Sequence, residues 1–183
     1  YHPGEGQILC LKVEGYDLEI PSMHSLTYTR PELSFFKSEE IRKDLEDYIL
    51  RLGKMAALLG CKVLVMGSSN ARNPMGMMKN DAMTTMADII RTITQRLADL
   101  EVMLLIEYLS KYECEFINNA DEAMELVHMV NHENFALHVD LKSSFAERED
   151  YNKVWGEYGK SIFHCHVSNP ALAPPDQTCP EHE

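Results

Sequence analysis

Apolar and polar positions along the chain follow two alternating periods. In "SEEIRKDLEDYILRLGKMAALLG" (38–60), Ile41, Leu45, Tyr48, Leu52, Met55 and Leu59 recur every three or four residues, which predicts an amphipathic helix. Ser38 suits the N-cap, Glu39 and Glu40 the positive end of the helix dipole, and Gly60 the C-terminal stop. A second helix is expected over 81–100, with Met83, Met86, Ile90, Ile93 and Leu97 on one stripe, and others over 120–130 and 147–159. Short apolar runs lie between them: "KVLVMGS" (62–68), "VMLLIEY" (102–108), "NFALHVD" (134–140) and "SIFHCHVS" (161–168). These read as strands, and "LEIPSM" (18–23) reads as a further, first strand.

Continuous apolar strands alternating with amphipathic helices imply βαβ units and a parallel sheet buried on both faces. Right-handed crossovers then leave a closed (β/α) barrel or an open doubly wound sheet. No GxGxxG and no P-loop follows any of the runs, so the nucleotide-binding open sheets lose ground.

The 183 residues are 45% hydrophobic, enough for one sizeable core, and 1–183 is read as a single domain. A net charge of −12 argues against nucleic acid and anionic membrane surfaces as partners. No apolar run approaches the ~20 residues that span a bilayer. The five cysteines, Cys10, Cys61, Cys114, Cys165 and Cys179, are scattered and form no CxxC pair. That pattern fits reduced thiols and a cytoplasmic protein.

Candidate chemistry lies at the carboxyl ends of the strands, where parallel α/β proteins build their sites. Successive strands end in Glu107, Asp140 and His166. Each has a structural explanation on its own: Asp140 as the N-cap of the next helix, His138 and His164 as core histidines. Together, one glutamate, one aspartate and one histidine form an O/O/N set suited to one divalent ion (Mn²⁺, Mg²⁺, Co²⁺ or Zn²⁺). In "SIFHCHVSNP" the strand period places His164 and His166 on the same face.

The stretch "LLIEYLSKYECEFINNADEAMELVHMVNHENFALHVDLKSS" resembles the middle of the xylose isomerase-like (β/α)8 superfamily, the TIM-barrel group of sugar isomerases and epimerases and AP endonuclease family 2-type proteins. The shared features are an "iEpl…E" strand end, an "lD" strand end, a later "HxH" strand, and an upstream "AALLGCKVLVMGSSNAR" similar to the family's helix-strand unit. The resemblance covers roughly residues 18–175 and implies an incomplete barrel, with the third to seventh strand-helix units recognisable. It implies Glu107, Asp140 and His166 as metal ligands, Glu107 also as catalytic base, and Glu113, Lys142, Ser143, His24 and Asn169 near substrate. His164 lies one layer deeper as support.

The expected activity is that of a metal-dependent sugar or sugar-phosphate isomerase or epimerase, with a small carbohydrate as partner and a homo-oligomer as a possible assembly. The chain departs from the epimerase pattern in having Ser143 where a histidine is usual and Asn169 where aspartate is frequent. The eighth strand and its second metal-bound glutamate are not recognisable; Glu181 and Glu183 lie in "CPEHE", which lacks strand character. Two other readings stay open: a non-catalytic sugar-binding relative, and an endonuclease IV-like metal-dependent phosphodiesterase.

Overall fold

The computed structural model describes residues 15–169. Helix α1 (Glu39–Leu58) leads to β1 (Val63–Met66), α2 (Lys79–Ala98), β2 (Met103–Glu107), α3 (Ala120–Val130) and β3 (Phe135–Asp140). A short α4 (Leu141–Ala146), α5 (Tyr151–Tyr158) and β4 (Ile162–His166) follow. All strand pairs are parallel, and the sheet order is β1-β2-β3-β4. Each strand is therefore added on the same side of its predecessor. With right-handed crossovers, an order that never reverses keeps the helices on one face, which is the progression of a barrel wall and not of a doubly wound sheet.

Packing follows the same division. Leu64, Met66, Leu104, Ile106, Leu137 and Val139 join the helices in one hydrophobic cluster. The predicted α2 stripe lies within it: Met83, Met86, Ile90, Ile93 and Leu97 are each at most 1% exposed. Burying such a side chain contributes roughly 1.5–3 kcal/mol. Val65, Leu105 and Ala136, paired across β1, β2 and β3, are buried outside that cluster and form the first layer of the opposite, inward face.

The helix ends match the signals in the sequence. Ser38 Oγ accepts the Ile41 N–H at 3.4 Å, and Gly60 takes a positive φ of 70° just beyond α1, where a side chain would be strained. Asn119 caps α3 by accepting the Glu122 N–H at 2.8 Å, while the Glu122 carboxylate accepts the Asn118 N–H at 2.9 Å.

Two expectations need correction. The run 18–23 is not a full strand: Met23 makes an isolated parallel bridge to Leu64, donating to Val63 O at 2.9 Å and accepting from Val65 N at 2.7 Å. Pro21 in that run has no N–H to donate to a ladder. The helix expected over 147–159 begins at Tyr151, capped by Asp150, whose carboxylate accepts the Asn152 and Lys153 N–H groups. A separate short helix, α4, starts directly at the end of β3.

The register between β3 and β4 shifts by one residue. Leu137 lies opposite Ile162 but His138 lies opposite His164, so Phe163 is an extra residue on β4. This β-bulge aligns His164 with His138 and His166 with Asp140. Phe163 and Val167 point away from the site and are 58% and 53% exposed. Among the described residues, no helix is long and apolar enough to cross a membrane.

Candidate metal centre

The inward face carries polar side chains above its apolar layer. Glu107, His138 and His164 occupy one cross-strand row, and Asp140 and His166 the next. Glu107 thus sits one pleat below Asp140 in register, and its longer side chain bridges the offset. One donor atom each from Glu107, Asp140 and His166 lies within 4.8 Å of the others. These are the three predicted ligands, brought to one place by three consecutive strands.

Glu107 is only 7% exposed. Burial, and then the neighbouring Asp140 carboxylate, push its carboxyl up to about 7, against a smaller opposing pull from Arg72 and Lys142. Two carboxylates crowded together in a dry site gain from a cation between them, so the donor set fits a divalent ion. Gly67, just past β1, makes room for this carboxylate: a Cβ built there would lie 1.7 Å from Glu107 Oε2. Arg72 is completely buried and its Nη1 donates to the main-chain oxygen of Glu107 at 2.5 Å, while Nε and Nη2 have no hydrogen-bond acceptor among the described residues. Burial holds the Arg72 pKa below its ordinary value.

Asp140 fills two of the roles considered from the sequence. It caps α4, with Oδ1 accepting the Lys142 N–H at 2.9 Å, and its carboxylate also belongs to the ligand cluster. Burial lowers the pKa of His166, offset in part by Asp140, and leaves a neutral imidazole free to ligate. The His24 ring stands edge-on to His166, with centroids 5.4 Å apart, and is exposed, with Nδ1 3.1 Å from Ser25 Oγ.

The other predicted residues divide. Lys142 Nζ donates to Glu113 Oε1 at 2.6 Å, and Ser110 Oγ donates to Glu113 Oε2 at 2.9 Å. Burial alone would raise the Glu113 carboxyl, but these two bonds outweigh it and hold the group below its usual range. Glu113 lines a cavity of about 590 Å³ with Ser34, Lys37, Asn70 and Tyr112. Glu107, Asp140 and His166 do not line it. Ser143 is completely buried and its hydroxyl has no partner. Asn169 is half-buried three residues beyond His166.

Gly67 and Arg72 were not singled out in the sequence. Their signal was position: both follow the carboxyl end of a strand, in "VMGSSNAR". Glycine and arginine there read as loop residues until the Glu107 side chain and main chain are seen against them.

The sequence profile of the xylose isomerase-like TIM barrel family matches residues 12–181. No curated protein sequence matches the chain significantly. Among solved structures, a D-psicose 3-epimerase with D-tagatose from Clostridium cellulolyticum H10 is similar at TM-score 0.81 and 16% identity, over 98% of this chain and 63% of that one. A 3-keto-D-glucoside 4-epimerase from E. coli is similar at TM-score 0.80 and 15% identity, over 92% of this chain and 65% of that one. The IOLI protein with a bound zinc atom is similar at TM-score 0.71 and 17% identity, over 88% of this chain and 56% of that one. The chain spans less than two thirds of the length of each, as a partial barrel does. The strand order and the profile match agree: this chain belongs to the xylose isomerase-like TIM barrel family.

Proposed function

We propose that the chain carries the metal-dependent half of a sugar or sugar-phosphate isomerase or epimerase site. The observation that carries this reading is the convergence of Glu107, Asp140 and His166 donor atoms within 4.8 Å at the ends of consecutive parallel strands. A divalent ion held there would polarise a substrate carbonyl and offset the negative charge that develops on its oxygen.

The chain's own residues supply the rest. In the metal-free site the Glu107 carboxyl is pushed up to about 7, and a bound cation would favour its ionised form. Such a group can take a proton from the carbon beside the carbonyl and return one. Asp140, with Oδ1 on the Lys142 N–H of α4, would contribute a carboxylate oxygen to the cluster. Glu113, held by Lys142 and Ser110, would accept a substrate hydroxyl, and Lys142 would face a substrate oxygen or phosphate. His24 and Asn169 would border the same space, and Ser143 would support it from within. The epimerase neighbours support a small carbohydrate as the substrate class.

The test combines metal content with isotope exchange. The protein is stripped, reloaded with Mn²⁺ and incubated with ketohexoses and ketopentoses in deuterated water. About one ion per chain, with deuterium entering the carbon next to the carbonyl and lost in Glu107→Gln, is the expected result. Metal binding and sugar binding without any exchange would overturn the catalytic role and leave a carbohydrate-binding protein.

A further inference from the structure

We propose that His138, His164 and His166 form an alternative cation site, sharing His166 with the carboxylate cluster, that takes an imidazole-preferring ion such as Zn²⁺ or Co²⁺. His166 belongs to both sets, but His138 and His164 take no part in the Glu107, Asp140 and His166 set, so this inference does not rest on the isomerase reading.

Three observations support it. One ring nitrogen of each histidine lies within 4.8 Å of the others. The Nδ1 atoms of His138 and His164 are 3.3 Å apart. With metal–nitrogen bonds of about 2.0–2.1 Å, two ligands of a tetrahedral centre stand roughly 3.3–3.4 Å from one another, so this pair already has the required spacing. His138 is completely buried, and its Nε2 has no hydrogen-bond partner.

The tautomers sharpen the point. Two facing Nδ1 atoms can share one proton, so one of them contributes a lone pair and the other an N–H. An ion in place of the shared proton would use both lone pairs at once and fix both rings in the same tautomer, with Nε2 carrying the hydrogen.

Donor chemistry separates the two sites. Three imidazoles without a carboxylate favour Zn²⁺, Co²⁺, Ni²⁺ or Cu²⁺, whereas carboxylate-rich sets favour Mg²⁺ and Mn²⁺. The bulge at Phe163 is what places His164 opposite His138 and makes the three-histidine site geometrically possible.

The experiment is a Co²⁺ titration of the full chain carrying Glu107→Gln and Asp140→Asn, followed by visible absorption. Those substitutions disable the carboxylate cluster and leave the three histidines. We expect about one equivalent of Co²⁺ to bind, with the intense bands of a four-coordinate ion. Adding His164→Gln, on the half-buried edge strand, should weaken binding at least tenfold with the circular dichroism spectrum unchanged. Adding His138→Gln should do the same; because His138 is buried, the His164 variant decides the matter if the His138 variant does not fold. No Co²⁺ binding in the double variant, or binding unaffected by His164→Gln, would overturn the proposal. Neither result bears on Mn²⁺-dependent exchange by the unaltered chain.

Discussion

The carboxylate of Glu107 rests against the bare backbone of Gly67, so closely that a methyl group there would overlap Oε2 at 1.7 Å. One residue with no side chain thus sets where a charged side chain can lie. Gly67→Ala should move the carboxylate out of the cluster and lower divalent-ion affinity by about tenfold or more. The overlap with a buried group should also cost about 1–3 kcal/mol of stability. Isothermal titration with Mn²⁺ and thermal melts of the stripped protein would check both, and unchanged affinity would refute the cradle.

Asp140 serves as helix cap and candidate ligand with one carboxylate, and substitution can separate the roles. Asparagine caps helices about as well as aspartate, so Asp140→Asn should change the melting free energy by well under 1 kcal/mol while removing metal binding. Asp140→Ala should lose the metal and about 0.5–2 kcal/mol of stability. Parallel melts and metal analysis distinguish the two, and equal destabilisation by both would show that the cap is irrelevant.

The pH dependence of the metal-stripped protein follows from Glu107. Its folded pKa of about 7 lies above the ordinary 4.5. The folded state therefore binds the extra proton, and the resulting stability is full below pH 4.5 and is lost as pH rises through about 7. The loss is on the order of 3 kcal/mol at most, from about 1.4 kcal/mol for each pKa unit. Denaturant titrations from pH 4 to 8 should show this slope in the parent protein and a flatter one in Glu107→Gln. Saturating Mn²⁺ should also flatten it, because a cation favours the ionised carboxylate.

Lys142 joins the two parts of the site, its N–H on Asp140 and its ammonium on Glu113. The pair is partly open to solvent, so Lys142→Met should cost less than about 1 kcal/mol. Metal affinity should hold, since the backbone N–H that steadies Asp140 remains. Sugar affinity or turnover should fall, because Glu113 loses the group that orients it. Weaker Mn²⁺ binding in this variant would show instead that the ammonium acts on the metal cluster.

Arg72 makes a different kind of contact, a buried guanidinium on the main-chain oxygen of Glu107. Arg72→Leu removes a charge that costs free energy to bury but leaves that oxygen without its partner. We expect a net destabilisation of about 1–3 kcal/mol, measured by urea unfolding. A more stable variant would mean that the cost of burying the charge outweighs the bond.

Much of the wall was legible in the sequence because packing there obeys simple periods. The α2 stripe from Met83 to Leu97 and the apolar runs of β1 to β3 follow the spacings that a helix and a buried strand impose. The convergence of Glu107, Asp140 and His166 was legible for the same reason, since parallel strands of one wall bring their carboxyl ends together. The first run, 18–23, failed because a strand exists only where a neighbour accepts its hydrogen bonds, and one residue, Met23, meets that condition. Helix α4 was hidden because six residues carry too little periodicity to register. The pairing of His138 with His164 was illegible for a third reason: it depends on register between strands, which neither strand encodes alone.

That register gives the bulge at Phe163 an evolutionary weight that the identity of the residue does not suggest. With Phe163 in place, a regular ladder continuing from the Leu137–Ile162 pair would set Phe163 opposite His138 and turn both histidines to the outer face, where Cys165 and Val167 now stand; the bulge absorbs that step. Nearly any side chain could replace the exposed phenylalanine at 163, and a chain that lost the residue outright would lose the bulge with it and keep His138 opposite His164. Related chains with this cluster should therefore either carry a residue at 163 within a bulge or lack both the residue and the bulge.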